Sequence, residues 1–547
     1  MSYILQKQCR TRGTSLTIPK KIDFMRKLLS KAASDIPAAS VVFLIALPLC
    51  LGIALGSNAP LFSGIIAGIV GGIVVGILSG SPLSVSGPAA GLTAVVAMGI
   101  GKLPAFEAFL LAIVLAGMLQ MIFGFLKAGV IGDYVPNAVI RGMLAAIGII
   151  LILKQLPHLV GFDKDFSGDE AFIQIDKENT FSELIYAINY ISPASFFIGL
   201  FSITVLIIWE MPFIKKSGWA RYFPGPLLVV VLATTINGLL VYQGAKFTVD
   251  KNHLVSLPVT KGYEDFLQFF SHPKWEYISN PQVWTTAITL ALVATLETLL
   301  GIEAVDKLDP YNRRTPTNRE LKAQGIGNLI SGFLGGLPVT SVIVRSAANV
   351  EAGAQSKLST ICHGFLLLSS VILFPQLINK IPLSALAAIL VITGYKLAKP
   401  SLFRELHRKG IDQVIPFVAT ILAILFSDLL VGILIGIGVS LFFLIRSNFK
   451  SSVMIVSDEK SWLVRFRKDV SFLNKPIVKD GLDAVPEGSY VLIDLTRADF
   501  IDKDIVDVIN EFMHRAPLKM IRVDIKKSNF KSAHQLLLEP QPLSAIE

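Results

Sequence analysis

The sequence predicts a polytopic α-helical membrane protein with a small soluble α/β tail. Three observations carry this. Of its 547 residues only 16% are charged and 52% are hydrophobic, whereas a soluble domain carries about 25% charged residues. Apolar runs recur from about residue 36 to about residue 446, and many approach the roughly 20 residues that a bilayer-crossing helix needs. Beyond Ser447 the pattern changes to short strand-like runs and one amphipathic helix.

Taken in order, the apolar runs give fourteen candidate spans. The first set is 36–57, 61–79, a short one at 88–100, then 105–127, 135–157, 192–211 and 224–243. The second is 283–305, 318–336, a short one at 338–349, then 357–378, 381–396, 411–427 and 428–446. Residues 1–35 form a polar, basic N-terminal segment. The first apolar run is long and no small-residue cleavage pattern follows it, so it reads as a retained span rather than a signal peptide.

Charge orients these spans. Lys20, Lys21, Arg26, Lys27 and Lys31 precede the first one, which places the N-terminus on the cytoplasmic side. Basic residues recur after spans six (Lys215, Lys216, Arg221), eight (Lys307, Arg313, Arg314, Arg319) and twelve (Lys396, Lys399, Arg404, Arg408, Lys409). The loop 162–180 is instead acidic, with Asp163, Asp165, Asp169, Glu170, Asp176 and Glu178. The net charge of +10 is therefore read as loop bias, and no nucleic-acid partner is expected. Cys9, Cys50 and Cys362 are odd in number and far apart, which indicates neither a disulfide framework nor a zinc site.

The tail, residues 452–547, reads strand, strand, strand, helix, strand through VMIVS, WLVRF, YVLIDL, FIDKDIVDVINEFMHRA and MIRVDI. Ile505, Val506, Ile509 and Phe512 share one face of that helix. With an even number of spans before it, this unit is expected to be cytoplasmic, as a regulatory or assembly module.

Two breaks interrupt the membrane-grade sequence. One is SVSGPAAG at 84–91, with Ser86, Gly87, Pro88, Ala89 and Ala90. The other follows Gly335 and Gly336, with Pro338, Val339, Thr340 and Ser341. Proline suits a first helical position, and serine before it can cap. Both short spans thus read as half-helices that begin in the middle of the membrane, which is tolerated only where they are buried in protein or line a cavity. A helix N-terminus offers unpaired N–H groups and partial positive charge, which together favour an anion. A single Gly-Pro break is often only a kink. Two in matching positions, each opening a short span, point to a transporter's binding site.

With these breaks on the page, a resemblance follows. It is carried by DIPAASVVFLIALPLCLGIA, SVSGPAAGLTAVV, ETLLGIEAVDKL, NRELKAQGIGNLISGFLGGLP and VIVRSAANV, in that order. The chain resembles the SulP family of inorganic anion transporters, and its tail, from FLNKPIVKDGLDAVPEG to DKDIVDVI, looks like a STAS domain. The resemblance implies two inverted seven-span repeats, 36–243 and 283–446, within a transport domain 36–446. It also implies gate and core domains, a substrate between the half-helix N-termini, elevator-like movement, a homodimer, and a bacterial inner (plasma) membrane with both termini cytoplasmic.

Several residues are weighed on this basis. Glu297 lies deep in span eight, and an intramembrane carboxylate defaults to a functional reading. It either carries a proton with the substrate, because burial favours the neutral acid, or binds Na⁺ with nearby carbonyls, or serves structurally at a half-helix N-terminus. The family's bicarbonate importers carry a threonine one turn later. Gly301 stands there, which weighs against Na⁺ coordination of that kind. Arg345 is read either as a complement to the anion or as an orienting or snorkelling side chain. Pro48 breaks the middle of span one, and Leu49 stands where many members place a substrate-reaching glutamine. Glu303 and Arg141 read as interfacial, and Glu320, Gln324 and Asn328 as a polar packing seam. Asp502-Lys503-Asp504 offers no hydroxyl for a phosphoserine switch.

The function expected is secondary active import of a small inorganic anion, bicarbonate or sulfate, with H⁺ or Na⁺ as coupling ion and no other cofactor. Lipid, a second copy and a cytoplasmic regulator at the tail are the expected partners. A passive anion channel, a carrier of an organic carboxylate and a membrane-anchored signalling protein are the other readings. An enzyme is not: the glycine-rich GIGNLISGFLGG lies inside a span and follows no strand.

Overall fold

The computed structural model describes residues 31–163, 179–215, 223–244, 247–256, 269–528 and 537. Cys9, Lys20, Lys21, Arg26, Lys27, Lys216, Arg221 and the acidic residues from Asp165 to Glu178 lie outside the described residues. The chain divides into two compact units, Met1–Ile437 and Gly438–Glu547.

The first unit is helical. Its first half contains α1 (Ala32–Gly56), α2 (Leu61–Leu78, with a π-helical turn at Gly71–Val75), α3 (Thr93–Lys102), α4 (Phe106–Phe125) and α5 (Asn137–Leu159). It continues with α6 (Thr180–Asn189), α7 (Pro193–Trp209) and α8 (Gly225–Tyr242). The second half contains α9 (Pro281–Leu308), α10 (Thr317–Leu334), α11 (Ile343–Glu351), α12 (Leu358–Leu373), α13 (Leu383–Leu397), α14 (Pro400–Lys409), α15 (Ile411–Phe426) and the start of α16 (Leu429–Ser452), which continues into the second unit. A helix stands at each of the fourteen expected segments. Among the described residues, eight helices are long and apolar enough to cross a membrane, or nine if α6 and α7, bent by 114° at their junction, count as one span.

The helices sort into two groups by packing. In the first, α10 packs along α4, α9 on α4, and α12 and α11 on α1. In the second, α13 and α15 pack on α5, and α7 on α13 and α8. Contacts between the groups are sparser. Glycines set the tightest pairs, because small residues let membrane helices approach backbone to backbone. A Cβ on Gly117 of α4 would stand 2.6 Å from the Gly325 carbonyl of α10. In the other group a Cβ on Gly148 of α5 would stand 2.5 Å from the Gly394 carbonyl of α13.

Two short strands complete this unit. β1 (Ser86–Pro88) and β2 (Val339–Ser341) pair antiparallel, with Ser86 opposite Ser341, Gly87 opposite Thr340 and Pro88 opposite Val339. Here the structure corrects the sequence reading. Pro88 ends a strand and Pro338 precedes one, so neither opens a helix. The α-helices begin at Thr93, after a 3-10 turn at Ala90–Leu92, and at Ile343, five residues beyond each proline. Ser86 caps no helix; its hydroxyl accepts from the Gln324 side chain at 2.7 Å. Pairing is the reason. All six strand residues are buried, and the ribbon gives their backbone groups partners that a non-aqueous interior would otherwise withhold.

The second unit carries a four-stranded sheet in the order β3 (Val453–Asp458), β4 (Ser461–Phe466), β5 (Tyr490–Asp494), β6 (Arg522–Lys526). The first pair is antiparallel and the other two are parallel. Its core includes Phe466, Ile493, Ile505 and Phe512. Between β4 and β5 lies α17 (Lys475–Asp483), which the sequence reading did not place; KPIVKDGLD is short and carries a proline and a glycine. The last helix, α18 (Lys503–Arg515), starts where Asp502 accepts from the Asp504 N–H at 3.0 Å. In β5 the Asp494 carboxyl is raised by burial, but hydrogen bonds from Thr496 and Arg465 outweigh that and hold it below the usual range.

Candidate functional site

The ribbon brings the two sequence breaks together. Its edges are held by side chains of α10 and its neighbours. The Val339 N–H donates to Asn328 Oδ1 at 2.5 Å, and Asn328 Nδ2 donates back to the Val339 carbonyl at 3.0 Å. The same amide donates to Gln120 at 2.5 Å. One turn away Gln324 donates to Ser86 and to Glu320, whose other oxygen accepts from Ser79 at 2.5 Å and the Gly80 N–H at 3.2 Å. Glu320, Gln324 and Asn328 thus form the polar seam expected from their spacing, and the seam holds the strands. On the other side the Val342 N–H donates to the Val85 carbonyl at 2.9 Å, Ser346 Oγ accepts from the Val85 N–H at 2.8 Å, and Asn349 donates to the Leu83 carbonyl at 2.9 Å.

Beyond the ribbon the chain runs through the 3-10 turn Ala90–Leu92 into α3 and directly into α11, and that turn and the first residues of α11 face a small cavity. Ala90 and Gly91 line it from one side, Ser341, Val342, Ile343 and Val344 from the other, and Glu297 of α9 from a third. Ile147 of α5 and Leu429 of α16 close it. The first N–H groups of a helix have no partner within it, so two such ends and one carboxyl converge on one space. Gly91 permits the approach: a Cβ there would stand 2.8 Å from Glu297 Oε1.

Of the predicted site residues, Ala90, Ser341 and Glu297 line this cavity. The others stand apart from it. Ala89, Thr340 and Val339 are buried in and beside the ribbon, and Ser341 Oγ lies 2.6 Å from Ser84 Oγ. Pro48 lies inside the continuous helix α1, and Leu49 is packed in the apolar core. Gly301 has a clear packing reason: a Cβ there would stand 2.5 Å from the Ser341 carbonyl, so α9 lies directly against β2.

Arg345 points behind the ribbon rather than into the cavity. Its side chain is fully buried, and a Cβ on Gly87 would stand 2.4 Å from its Nη1. Among the described residues its guanidinium forms no ion pair, and the buried Cys50 thiol lies within hydrogen-bonding reach of it. Cys50 and His363, both fully buried, lie close enough to feel its charge. Glu303 pairs with Lys307 at 3.3 Å and Arg141 with Glu405 at 2.7 Å.

Sequence reasoning missed Gln120, His363, Asn349 and Asp35. Asp35 is fully buried and accepts from the Gln355 and Ser356 N–H groups and from the Ser356 hydroxyl. The available signal was an amide or imidazole side chain inside an apolar run, as Gln120 is in 105–127 and His363 in 357–378.

A model of the sulfate permease family matches residues 33–421. The putative sulfate transporter YvdB of Bacillus subtilis (strain 168) is 25% identical over 445 residues, 81% of this chain and 79% of that protein. The bicarbonate transporter BicA of Picosynechococcus sp. is 26% identical over 451 residues, 78% of this chain and 75% of its own. Among solved structures, that of SLC26A9 superposes with a TM-score of 0.65 at 16% identity, covering 94% of this chain and 88% of that one. The transmembrane domain of a cyanobacterium bicarbonate transporter BicA gives 0.52 at 22% identity, covering 75% and 97%. These likenesses show the fold.

Proposed function

The chain belongs to the sulfate permease family, and the relatives named above are transporters rather than enzymes; from that premise we propose that it is a secondary active importer of a small inorganic anion, bicarbonate or sulfate. The observation that carries this is the convergence of two helix N-terminal ends and Glu297 on one cavity. The anion is held by the N–H groups at the start of the 3-10 turn that leads into α3 and at the start of α11, where the dipoles favour negative charge. Glu297 carries a proton with it.

A proton suits this site better than Na⁺. Among the described residues Glu297 is the one acidic side chain lining the cavity, and Gly301 supplies no side-chain oxygen one turn on. The coupling step is therefore assigned to protonation of Glu297. The fourteen segments act as two inverted repeats, the two helix groups as core and gate, and transport proceeds by elevator-like movement of one against the other. The protein works as a homodimer in a bacterial inner membrane with both termini cytoplasmic, and residues 452–547 are a STAS domain that binds a regulator.

The direct test is uptake of labelled bicarbonate and labelled sulfate into proteoliposomes, with and without imposed H⁺ and Na⁺ gradients. Accumulation of one anion driven by the H⁺ gradient is expected. Flux that only equilibrates sinks the symport reading in favour of a channel. A second expected result concerns Gly301→Thr, the change toward the threonine pattern. It should confer no Na⁺ dependence and lower the thermal stability of the purified protein. Overpacking of this kind costs about 1–3 kcal/mol, because the new side chain meets the Ser341 carbonyl. Na⁺-driven uptake in that variant would overturn the assignment.

A further inference from the structure

A second cavity, of about 450 Å³, lies between the two helix groups. Pro37 of α1 and Ala348 and Glu351 of α11 line it from the first group; Trp209 at the end of α7 and Lys396 in the last turn of α13 line it from the second. Lys396 Nζ stands 2.8 Å from Glu210 Oε1 and 3.3 Å from Glu351 Oε2, with its side chain only 18% exposed.

These two arms are not equivalent. Glu210 directly follows α7, which packs against α13 within the second group, so that arm stays inside one body. Glu351 ends α11, which packs with α1 and α9 in the first group, so that arm crosses between bodies. α11 is also the helix whose first turn lines the Glu297 cavity. At about 1.5 Å per residue its nine residues make a rod roughly 13 Å long, with the anion end at one tip and Glu351 at the other.

We propose that Lys396 and Glu351 form a charge latch that holds α11 against the second helix group in this arrangement, and that Glu210 keeps the lysine paired when the latch opens. A half-buried ammonium left alone is costly. Two carboxylates for one lysine remove that cost from the open state, so the crossing arm alone biases the equilibrium between arrangements. The latch rests on the transport reading, since it requires one group to move against the other.

The test uses the full chain in proteoliposomes with Thr393→Cys as reporter, Thr393 being another residue of the cavity wall. Glu351→Gln is expected to change the rate of thiol labelling at position 393 by about two- to fivefold, the size of a partly exposed ion pair, and to change anion exchange with it. Glu210→Gln, which leaves the lysine unpaired only when the crossing arm opens, should shift the labelling rate in the opposite direction. The latch is wrong if Glu351→Gln labels and exchanges like the parent, or if both variants change alike. Parent vesicles that move no anion sink the transport reading instead, while the labelling difference between the two variants still reports on the latch.

Discussion

Glu297→Gln is expected to abolish proton-driven accumulation of the anion while leaving exchange of anion for anion. The substitution keeps the shape of a side chain that sits 2.8 Å from where a Cβ on Gly91 would stand, so the cavity survives. It removes the group that takes and releases a proton. A tenfold H⁺ gradient is worth about 1.4 kcal/mol. A carrier moving one proton per bicarbonate with no net charge could therefore hold up to roughly tenfold more anion inside. The variant should reach a ratio near unity in the same vesicles. Counterflow of labelled against unlabelled anion should persist, because the helix ends that hold the anion are untouched. Proton-driven accumulation that matches the parent would remove Glu297 from the coupling step. Loss of accumulation and counterflow together would make it a binding or structural carboxylate.

The membrane character, the positions of the helices and the pairing of the two breaks were all legible in the sequence, because hydropathy over about 20 residues and Gly-Pro punctuation are local signals. What happens at the breaks was not. Ser-Gly-Pro reads locally as a helix cap, and only the arrival of Val339–Ser341 from 250 residues away makes it a strand. The partner that satisfies Val339 is likewise non-local in meaning. Asn328 at helical spacing announces a polar face, yet nothing local says that its amide pairs both backbone groups of one strand residue. Gly301 shows the opposite case. As a departure from the family pattern it suggests a missing ligand, and packing against Ser341 gives it a steric reason of its own. The Lys396 cluster was legible only as orienting charge, since its carboxylates come from segments about 185 and 45 residues away.

Arg345→Met is the other change with a large expected effect, and its two consequences should have opposite signs. A fully buried guanidinium with no carboxylate partner among the described residues is an expensive thing to keep. Replacing buried charge with apolar volume is often stabilising by about 1–4 kcal/mol, so the variant's melting temperature in detergent should rise. Anion transport should fall. The guanidinium lies under Gly87, against the ribbon that leads into both helix ends. Coulomb attraction between unit charges ~10 Å apart at an effective dielectric of ~20 is ~1.7 kcal/mol, roughly fifteenfold in affinity, which sets the ceiling for the expected loss. The prediction is a higher KM with a higher Tm. Packing alone predicts something else: a side chain that merely fills the space between Gly68, Gly87 and Leu367 would lower stability when shortened, and would leave KM in place if the fold held. Lower stability with unchanged KM therefore overturns the electrostatic role. Arg345→Lys separates charge from shape. It keeps the positive charge in the same pocket, so it should retain most of the parent's affinity, whereas a site that needs the guanidinium's planar fork would lose it with either substitution.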